Sequence, residues 1–156
     1  MKTEKKPRQY RAMKKLLDDP SVRSWRAIMT AFQGVFSTLE KGLMSEGFHV
    51  SRFQIFFYLY FQGAMSAAEL ARHLLVTRGN ISMFLRRLEK DGQIMMCPTS
   101  PSMQRPLYRL TPRAEKTFEA VFPRHIERVR KLVPKMPAAV LKSLLHLADG
   151  HPLNKL

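Results

Sequence analysis

The feature that most constrains this sequence is a pair of short helices predicted to be joined by a turn of two residues. Ser66 and Glu69 form the S-x-x-E pattern of a capping box, which marks the start of a helix. Thr77 follows the turn at 75–76 and is placed to cap a second helix, which Gly92 ends. Two short helices around so tight a turn predict a helix-turn-helix motif.

The periodicity of the sequence changes after this motif. Residues 94–97 form a short apolar run, and residues 107–110 alternate between apolar and polar, which is typical of β-strands. We expect a two-stranded hairpin over 93–110, with Cys97 in its first strand as a small packing residue. The predicted fold class is therefore mainly α with a small β-hairpin wing, a winged helix-turn-helix.

Two helices are predicted before the motif. Apolar residues at steps of three and four indicate a long amphipathic helix over 22–43, which Ser21 is placed to cap. A second helix opens at Ser51, where Gln54 completes a capping box, and Gly63 ends it. Its body is apolar nearly all round, so we expect it to be buried.

Two more helices are predicted after the wing. Thr111 is placed to cap the first, which runs to about Leu132 with Pro112 at its first position. Pro123 is expected to kink or split this helix. A last helix is predicted over 138–148 and ends at Gly150.

The charge of the chain narrows the class of partner. Its 156 residues hold 27 Lys and Arg against 12 Asp and Glu, a formal net charge of +15. Such an excess favours a polyanion, either nucleic acid or an anionic membrane surface. The longest nearly apolar run, 53–61, is much shorter than the roughly 20 residues of a membrane span. No apolar segment follows the basic N-terminus, so we expect a cytoplasmic protein.

Charge and helix layout together suggest three regions. Residues 1–20 form a basic tail, interpreted either as a solvated segment or as an arm on a phosphate backbone, with a short helix before Pro20. Residues 21–48 and 112–156 carry more apolar surface than one small motif buries, and we expect them to form a homodimer. Residues 49–111 are the predicted DNA-binding region.

The second helix of the motif has the chemistry of a DNA-recognition helix. Its predicted inward residues are Ile81, Phe84, Leu85 and Leu88, and its other face is polar and basic. The first residues of such a helix reach base edges in the major groove, whereas arginines farther along suit phosphates. The predicted DNA-binding residues of this helix and its cap are Thr77, Arg78, Gly79, Asn80, Ser82, Met83, Arg86 and Arg87.

The motif and wing resemble the MarR family of regulators. The matching text is Glu69-Leu70-Ala71, Val76-Thr77, Leu88-Glu89-x-x-Gly92 and, closing the wing, Leu110-Thr111. The resemblance implies a homodimer that places two recognition helices and two wings on a pseudo-palindromic operator. It also implies control of transcription, more often repression, that small molecules or oxidants relieve.

The resemblance leads to two further expectations. Counting back from Leu110-Thr111, Gln104 stands where the family has its wing arginine, and we expect Arg105 to take over that role. The family also has a pocket for aromatic carboxylates, whose candidate residues here are His49, Arg52, Phe53, Phe32 and Phe36. The alternative to a pocket is that the aromatic residues form the hydrophobic core. These residues are Trp25, Phe32, Phe36, Phe48, Phe53, Phe56, Phe57 and Tyr60.

Other chemistry finds little support in the sequence. One cysteine excludes a disulfide framework, and no histidine pair has the spacing of a zinc helix. There is no P-loop, G-x-S-x-G or G-x-G-x-x-G motif, so we expect neither an enzyme nor a bound cofactor or metal. The alternative function is an architectural or RNA-binding protein that binds without sequence preference through its charge.

Overall fold

The computed structural model describes residues 8–97 and 105–147. Within them, the chain is mostly helical with a small antiparallel sheet, which confirms the predicted fold class. The elements, in chain order, are α1 (Arg8–Leu16), α2 (Pro20–Met44), α3 (Val50–Gln62), β1 (Met65–Ser66), α4 (Ala67–Leu74), α5 (Arg78–Lys90), β2 (Ile94–Met96), β3 (Leu107–Leu110), α6 (Pro112–Leu132) and α7 (Ala138–Leu147). The chain divides into two compact units between Leu39 and Glu40, a boundary that lies inside α2.

The first unit holds α1 and the greater part of α2. The carboxylate of Asp19 accepts hydrogen bonds from the backbone N–H groups of Ser21 (2.8 Å) and Val22 (3.2 Å). Asp19 is therefore the cap of α2, and the prediction that Ser21 caps this helix was wrong. Pro20 explains the difference, because proline suits the first helical position and leaves the cap to the residue before it.

The second unit is built around α3. Phe53, Ile55, Phe56, Tyr58 and Leu59 are all buried, as its nearly continuous apolar sequence predicts. These side chains pack with buried residues of every other main element of the unit except α7, namely Leu43, Phe48, Met65, Leu70, Ala71, Ile81, Leu85, Leu88, Ile94, Leu110, Ala114, Phe118 and Val121. A single core therefore fixes α4 and α5 against α3 and the sheet.

The start of α3 differs from the prediction. The helix begins at Val50 with His49 as its cap residue, and no side chain caps it. Ser51 consequently lies inside the first turn, and the prediction of a Ser51–Gln54 capping box was wrong. Burial of Phe48 and Phe53 sets the helix start here, because the two rings pack edge to face at 6.4 Å.

The sheet has three strands in the order β1–β3–β2, all antiparallel. The predicted hairpin is the pair β2–β3, with Ile94 opposite Leu110. Strand β1 was missed, because two residues cannot show a period; Met65 pairs with Tyr108. Cys97 lies just beyond β2 rather than in it, although its N–H still donates to the carbonyl of Leu107 at 2.8 Å.

Helix α6 is continuous, so the predicted split at Pro123 does not occur. Thr111 caps it by accepting from the N–H of Ala114, and Pro112 occupies the first turn, as predicted. Phe118 and Val121 are buried on the turn before Pro123, and Phe122 is packed against the same core. This packing holds the helix together around the residue that interrupts its hydrogen bonding.

Several large apolar side chains are exposed where burial was predicted. Trp25 and Phe32 of α2 are 60% and 57% exposed, and Phe36 is also exposed. Tyr60 and Phe61, near the end of α3, are exposed as well, so the expected burial of the whole apolar run 53–61 is wrong there, and Phe84 of α5 is also exposed. Of the eight aromatic residues predicted to form the core, only Phe48, Phe53 and Phe56 are buried in it, and Phe57 packs at its margin.

An ion-pair cluster joins the end of α2 to α6 inside the second unit. Glu46 accepts from Arg124 Nε at 2.8 Å and also pairs with Arg128. The Arg128 side chain crosses Gly42 so closely that a Cβ there would lie 2.7 Å from its Cδ. Glycine at 42 therefore gives Arg128 its path to Glu46.

None of the helices in the described ranges is long and apolar enough to cross a membrane.

Candidate nucleic-acid interface

The helix-turn-helix motif is held at each helix end by short-range hydrogen bonds. Ser66 Oγ accepts from the N–H of Glu69, and the Glu69 carboxylate accepts from the Ser66 N–H (2.8 Å) and hydroxyl (2.7 Å). The predicted capping box is confirmed. These hydrogen bonds lower the pKa of Glu69 below its ordinary value, because they favour the carboxylate.

The turn between α4 and α5 is tight because Leu75 adopts a left-handed conformation, with φ 53°. Its N–H bonds back to carbonyls of α4, as in a helix-ending turn. Thr77 then caps α5 by accepting from the N–H of Asn80 at 3.3 Å. The chain thus leaves α4 and enters α5 within three residues, which fixes the direction of the recognition helix.

Helix α5 buries one face and presents the other. Ile81, Leu85 and Leu88 are buried in the core, whereas Phe84 is 40% exposed, which corrects its predicted inward position. Ser82 is half-buried at the margin of the helix. The exposed residues of this face are Arg78, Gly79, Asn80, Met83, Arg86, Arg87 and Lys90.

A cleft of about 680 Å³ lies between α4, the turn and the base of the wing. Its apolar lining comes from Ala68, Ala71, Leu75 and Val76, and its polar lining comes from Arg72, Arg78 and Arg105. Two predicted DNA-binding residues, from the recognition helix and the wing, are thereby brought to one cleft. No acidic residue lines it, so the described side chains there give it a purely positive charge.

Arg72 is the residue of this cleft that sequence reasoning left out of the site. Ala68, Ala71, Arg72 and Leu75 stand at i, i+3, i+4 and i+7, which is one helical face. This spacing is the sequence signal that could have placed Arg72 beside the turn. Among the ion pairs between described residues, none involves Arg72, Arg78 or Arg105, so the three charges are open to an outside partner.

The remaining predicted DNA-binding residues fall into two groups. Thr77, Gly79 and Asn80 lie in the first turn of α5 or just before it, and nothing lies within 4 Å of a Cβ built on Gly79. The backbone of that turn is therefore open to close approach. Gln104 lies outside the described residues, as do residues 98–103 of the predicted wing.

The candidate effector residues divide between the two units. In the second unit, His49 is exposed, the Arg52 guanidinium lies 3.9 Å from the centre of the Phe48 ring, and Phe53 is buried. In the first unit, Phe32 and Phe36 stack on each other at 5.5 Å. Burial lowers the pKa of Arg52, although nearby Asp91 favours its charged form.

Comparison with known proteins identifies the motif. The MarR-family model matches residues 49–96. A relative, the uncharacterised HTH-type transcriptional regulator YkoM of Bacillus subtilis, is 23% identical over 108 residues, which cover 69% of this chain and 70% of YkoM.

Solved structures share the fold. AbsC, a MarR-family regulator of Streptomyces coelicolor, superimposes with a TM-score of 0.75 at 19% identity, over 84% of this chain and 90% of AbsC. The structure of NadR in complex with 4-hydroxyphenylacetate superimposes with a TM-score of 0.66 at 23% identity, over 80% of this chain and 91% of NadR. An organohalide-sensing regulator in its 2,4-dichlorophenol-bound form superimposes with a TM-score of 0.69 at 19% identity, over 98% of this chain and 91% of that regulator.

The motif and the wing together define the winged helix-turn-helix fold. Residues 49–96 match the MarR family, and the resemblance noted in the sequence is confirmed there.

Proposed function

We propose that the chain is a sequence-specific repressor that binds double-stranded DNA as a homodimer on a pseudo-palindromic operator. The observation that carries this proposal is the convergence of Arg72, Arg78 and Arg105 on one cleft beside the exposed face of α5. DNA presents regularly spaced phosphates and a major groove that admits a helix, and a purely cationic cleft next to such a helix suits both.

Each side chain has a role that its chemistry supports. Arg78 forks onto a guanine and Asn80 onto an adenine, while Ser82 contacts either base. Thr77 and the open backbone at Gly79 allow the start of α5 to approach the groove closely. Arg86 and Arg87 contact phosphates, and Met83 lies between them and the bases. Arg105 enters the minor groove, and Gln104 precedes it in the sequence.

The exposed apolar surface supports the homodimer. In the first unit, exposed apolar residues repeat along one side of α2 at helical spacing, from Trp25 through Phe32 to Phe36. In the second unit, no residue of α7 is buried, and Leu141, Leu145 and Leu147 are all exposed. Apolar stripes of this kind mark interaction sites, and a second copy of the chain supplies matching apolar surface.

Assembly is tested by sedimentation equilibrium of the full chain at micromolar concentration. We expect a dimer, and we expect Phe32→Asp to be monomeric because it places a carboxylate in the apolar stripe. Phe84→Asp, which charges an exposed aromatic outside α2 and α7, is the matched control and stays dimeric. A monomeric wild-type protein would refute the homodimer.

Relief of repression by a small aromatic effector is supported by the relatives. The solved structures that share this fold include one with 4-hydroxyphenylacetate and one with 2,4-dichlorophenol. The candidate contacts in the second unit are His49, Arg52 and Phe53, where Arg52 supplies a cation and Phe53 a ring, and those in the first unit are the stacked rings of Phe32 and Phe36.

The function is tested by selecting duplexes from a random library and from fragmented genomic DNA. A repressor of this kind retains fragments that share an inverted repeat whose half-sites lie about one helical turn apart. Retention without a shared sequence, or equal retention of RNA, would instead establish the alternative of a charge-driven architectural or RNA-binding protein.

A further inference from the structure

Helix α1 has no role in the proposed function, although its sequence is strongly divided between apolar and basic residues. It belongs to the first unit, and its residues 9–16 are all exposed. Packing inside a core therefore does not explain this division. An explanation has to account for both faces of the helix.

One side of α1 is apolar. Met13 and Leu16 are each 61% exposed, and Leu17, in the turn that closes the helix, is 42% exposed. Their spacing of i, i+3 and i+4 places the three side chains on one face. Exposed apolar side chains that cluster in this way mark a surface that contacts something other than water.

The other side of α1 carries only positive charge. Arg11, Lys14 and Lys15 repeat the spacing of the apolar residues two positions earlier, which is about 200° around the helix. All three are exposed, and none of the ion pairs between described residues involves them. The helix itself contains no acidic residue, so its basic face has no opposite charge within α1.

We propose that α1 binds an anionic lipid surface and lies in the plane of that surface. Such a surface is complementary to both faces, because it is negative at the head groups and apolar beneath them. The side chains of Met13, Leu16 and Leu17 enter the boundary of the acyl chains. The long side chains of Arg11, Lys14 and Lys15 reach the head groups. A helix that lies on a membrane does not need the length of a membrane span.

The two faces together favour a lipid surface over the other occupants. A DNA backbone would pair with the cations of α1 but would leave its apolar face in water. A second copy of the chain would cover the apolar face, but that copy also carries a net charge of +15 and offers the cations little attraction. The proposal is independent of the proposed operator binding, since it uses another helix and its first test contains no DNA.

The test is flotation of the full-length protein with lipid vesicles at physiological salt. One set of vesicles contains phosphatidylcholine and phosphatidylserine in equal amounts, and the other contains phosphatidylcholine alone. We expect saturable binding to the mixed vesicles and about 100-fold weaker binding to the neutral ones, because each of three cations contributes about fivefold near an anionic surface. No saturable binding to the mixed vesicles, or equal binding to both sets, would overturn the proposal.

A double variant of the apolar face separates insertion from attraction by charge. Met13→Gln with Leu16→Gln leaves the charge unchanged and should weaken binding to the mixed vesicles by at least about tenfold, because the apolar contact is lost. The matched control is Met44→Gln with Met96→Gln, at exposed positions of the second unit, which should bind as the wild type does. Unaltered binding by the first pair, or equal losses in both pairs, would refute insertion of α1.

A double variant of the basic face tests the charge in the same way. Lys14→Gln with Lys15→Gln should weaken binding to the mixed vesicles about 25-fold. Lys116→Gln with Lys131→Gln removes the same charge from exposed positions of α6 and should have less than about a threefold effect, because salt screens distant charges. Equal losses would assign the binding to the net charge of the chain and contradict the proposal.

The same α1 variants identify the occupant if it is not lipid. Their assembly is measured by sedimentation equilibrium and their operator binding by fluorescence anisotropy. Variants that dissociate the dimer while vesicle binding persists would make a second copy the occupant of the apolar face. Variants that lose only operator binding would make DNA the occupant of the basic face. Either result would refute the lipid assignment.

Discussion

Arg78, at the first position of α5, and Arg105, just before β3, line the same cleft although they are far apart in the sequence. The sheet produces this relationship, because β3 pairs with both β1, which precedes α4, and β2, which follows α5. Helix α5, the proposed recognition helix, and strand β3 are therefore fixed relative to each other in the free protein. Pre-arranged charges of this kind lower the cost of ordering side chains on binding.

Arg78→Ala should weaken operator binding by about 1–3 kcal/mol and relax the preference for one base in each half-site, because a bidentate contact to guanine is lost. Arg87→Ala, from the same helix, is the matched comparison. As a phosphate contact it should weaken binding to all duplexes alike. Fluorescence anisotropy on the operator and on its single-base variants checks both, and equal loss on operator and random DNA would make Arg78 a backbone contact.

Arg105→Ala should weaken operator binding and reduce the slope of log K against log salt by about one per wing, with little change in stability. A narrow minor groove concentrates negative potential and favours an arginine over a glutamine. Gln104→Ala should have the smaller effect. Salt titrations of both variants decide the matter, and a larger loss with Gln104→Ala would show that the family register holds and that the wing assignment is wrong.

Ser66→Ala should lower the free energy of unfolding by about 1 kcal/mol, since it removes the side chain that caps α4. Ser51→Ala removes a serine that the sequence also predicts to be a cap but that lies inside the first turn of α3, and it should change stability by less than about 0.5 kcal/mol. Urea denaturation of the two variants measures the difference. Equal losses would mean that the Ser51 side chain does cap α3.

His125 should make the protein less stable in mild acid. Burial against Phe53, at a ring distance of 4.4 Å, lowers the pKa of His125 in the folded state. The unfolded chain therefore takes up the proton first, so stability is complete above about pH 6.5 and falls as the pH drops towards the folded pKa.

Urea midpoints between pH 8 and pH 5 check this prediction. His125→Phe keeps a ring against Phe53 and should remove this part of the pH dependence, whereas His49→Gln, at an exposed position, should preserve it. A His125→Phe protein that keeps the whole acid slope would assign the effect to another group.

The caps at Ser66, Thr77 and Thr111 could be predicted from sequence because each acts within three residues of its own position. The same local logic failed at Ser51, where the cap position lies two residues earlier, at His49, next to the packed rings of Phe48 and Phe53. Strand β1 depends on pairing with β3, a distant segment, so its two residues carry no local signal.

The candidate site was predictable only where it depends on local sequence. The basic face of α5 follows from helical periodicity, whereas the shared cleft of Arg72, Arg78 and Arg105 depends on how α4, α5 and the sheet pack. The exposure of Trp25 and Phe32 was also beyond local reasoning, because periodicity identifies an apolar face but not what covers it.

The most direct measurement of the central claim compares the affinity of the full-length protein for three ligands of equal length at physiological salt. These are the selected operator duplex, a duplex with the same bases in scrambled order, and the operator sequence as duplex RNA. The account predicts that the operator binds at least about 10³-fold more tightly than either competitor. Affinities that agree within about tenfold across the three would contradict it, because charge alone would then explain the binding.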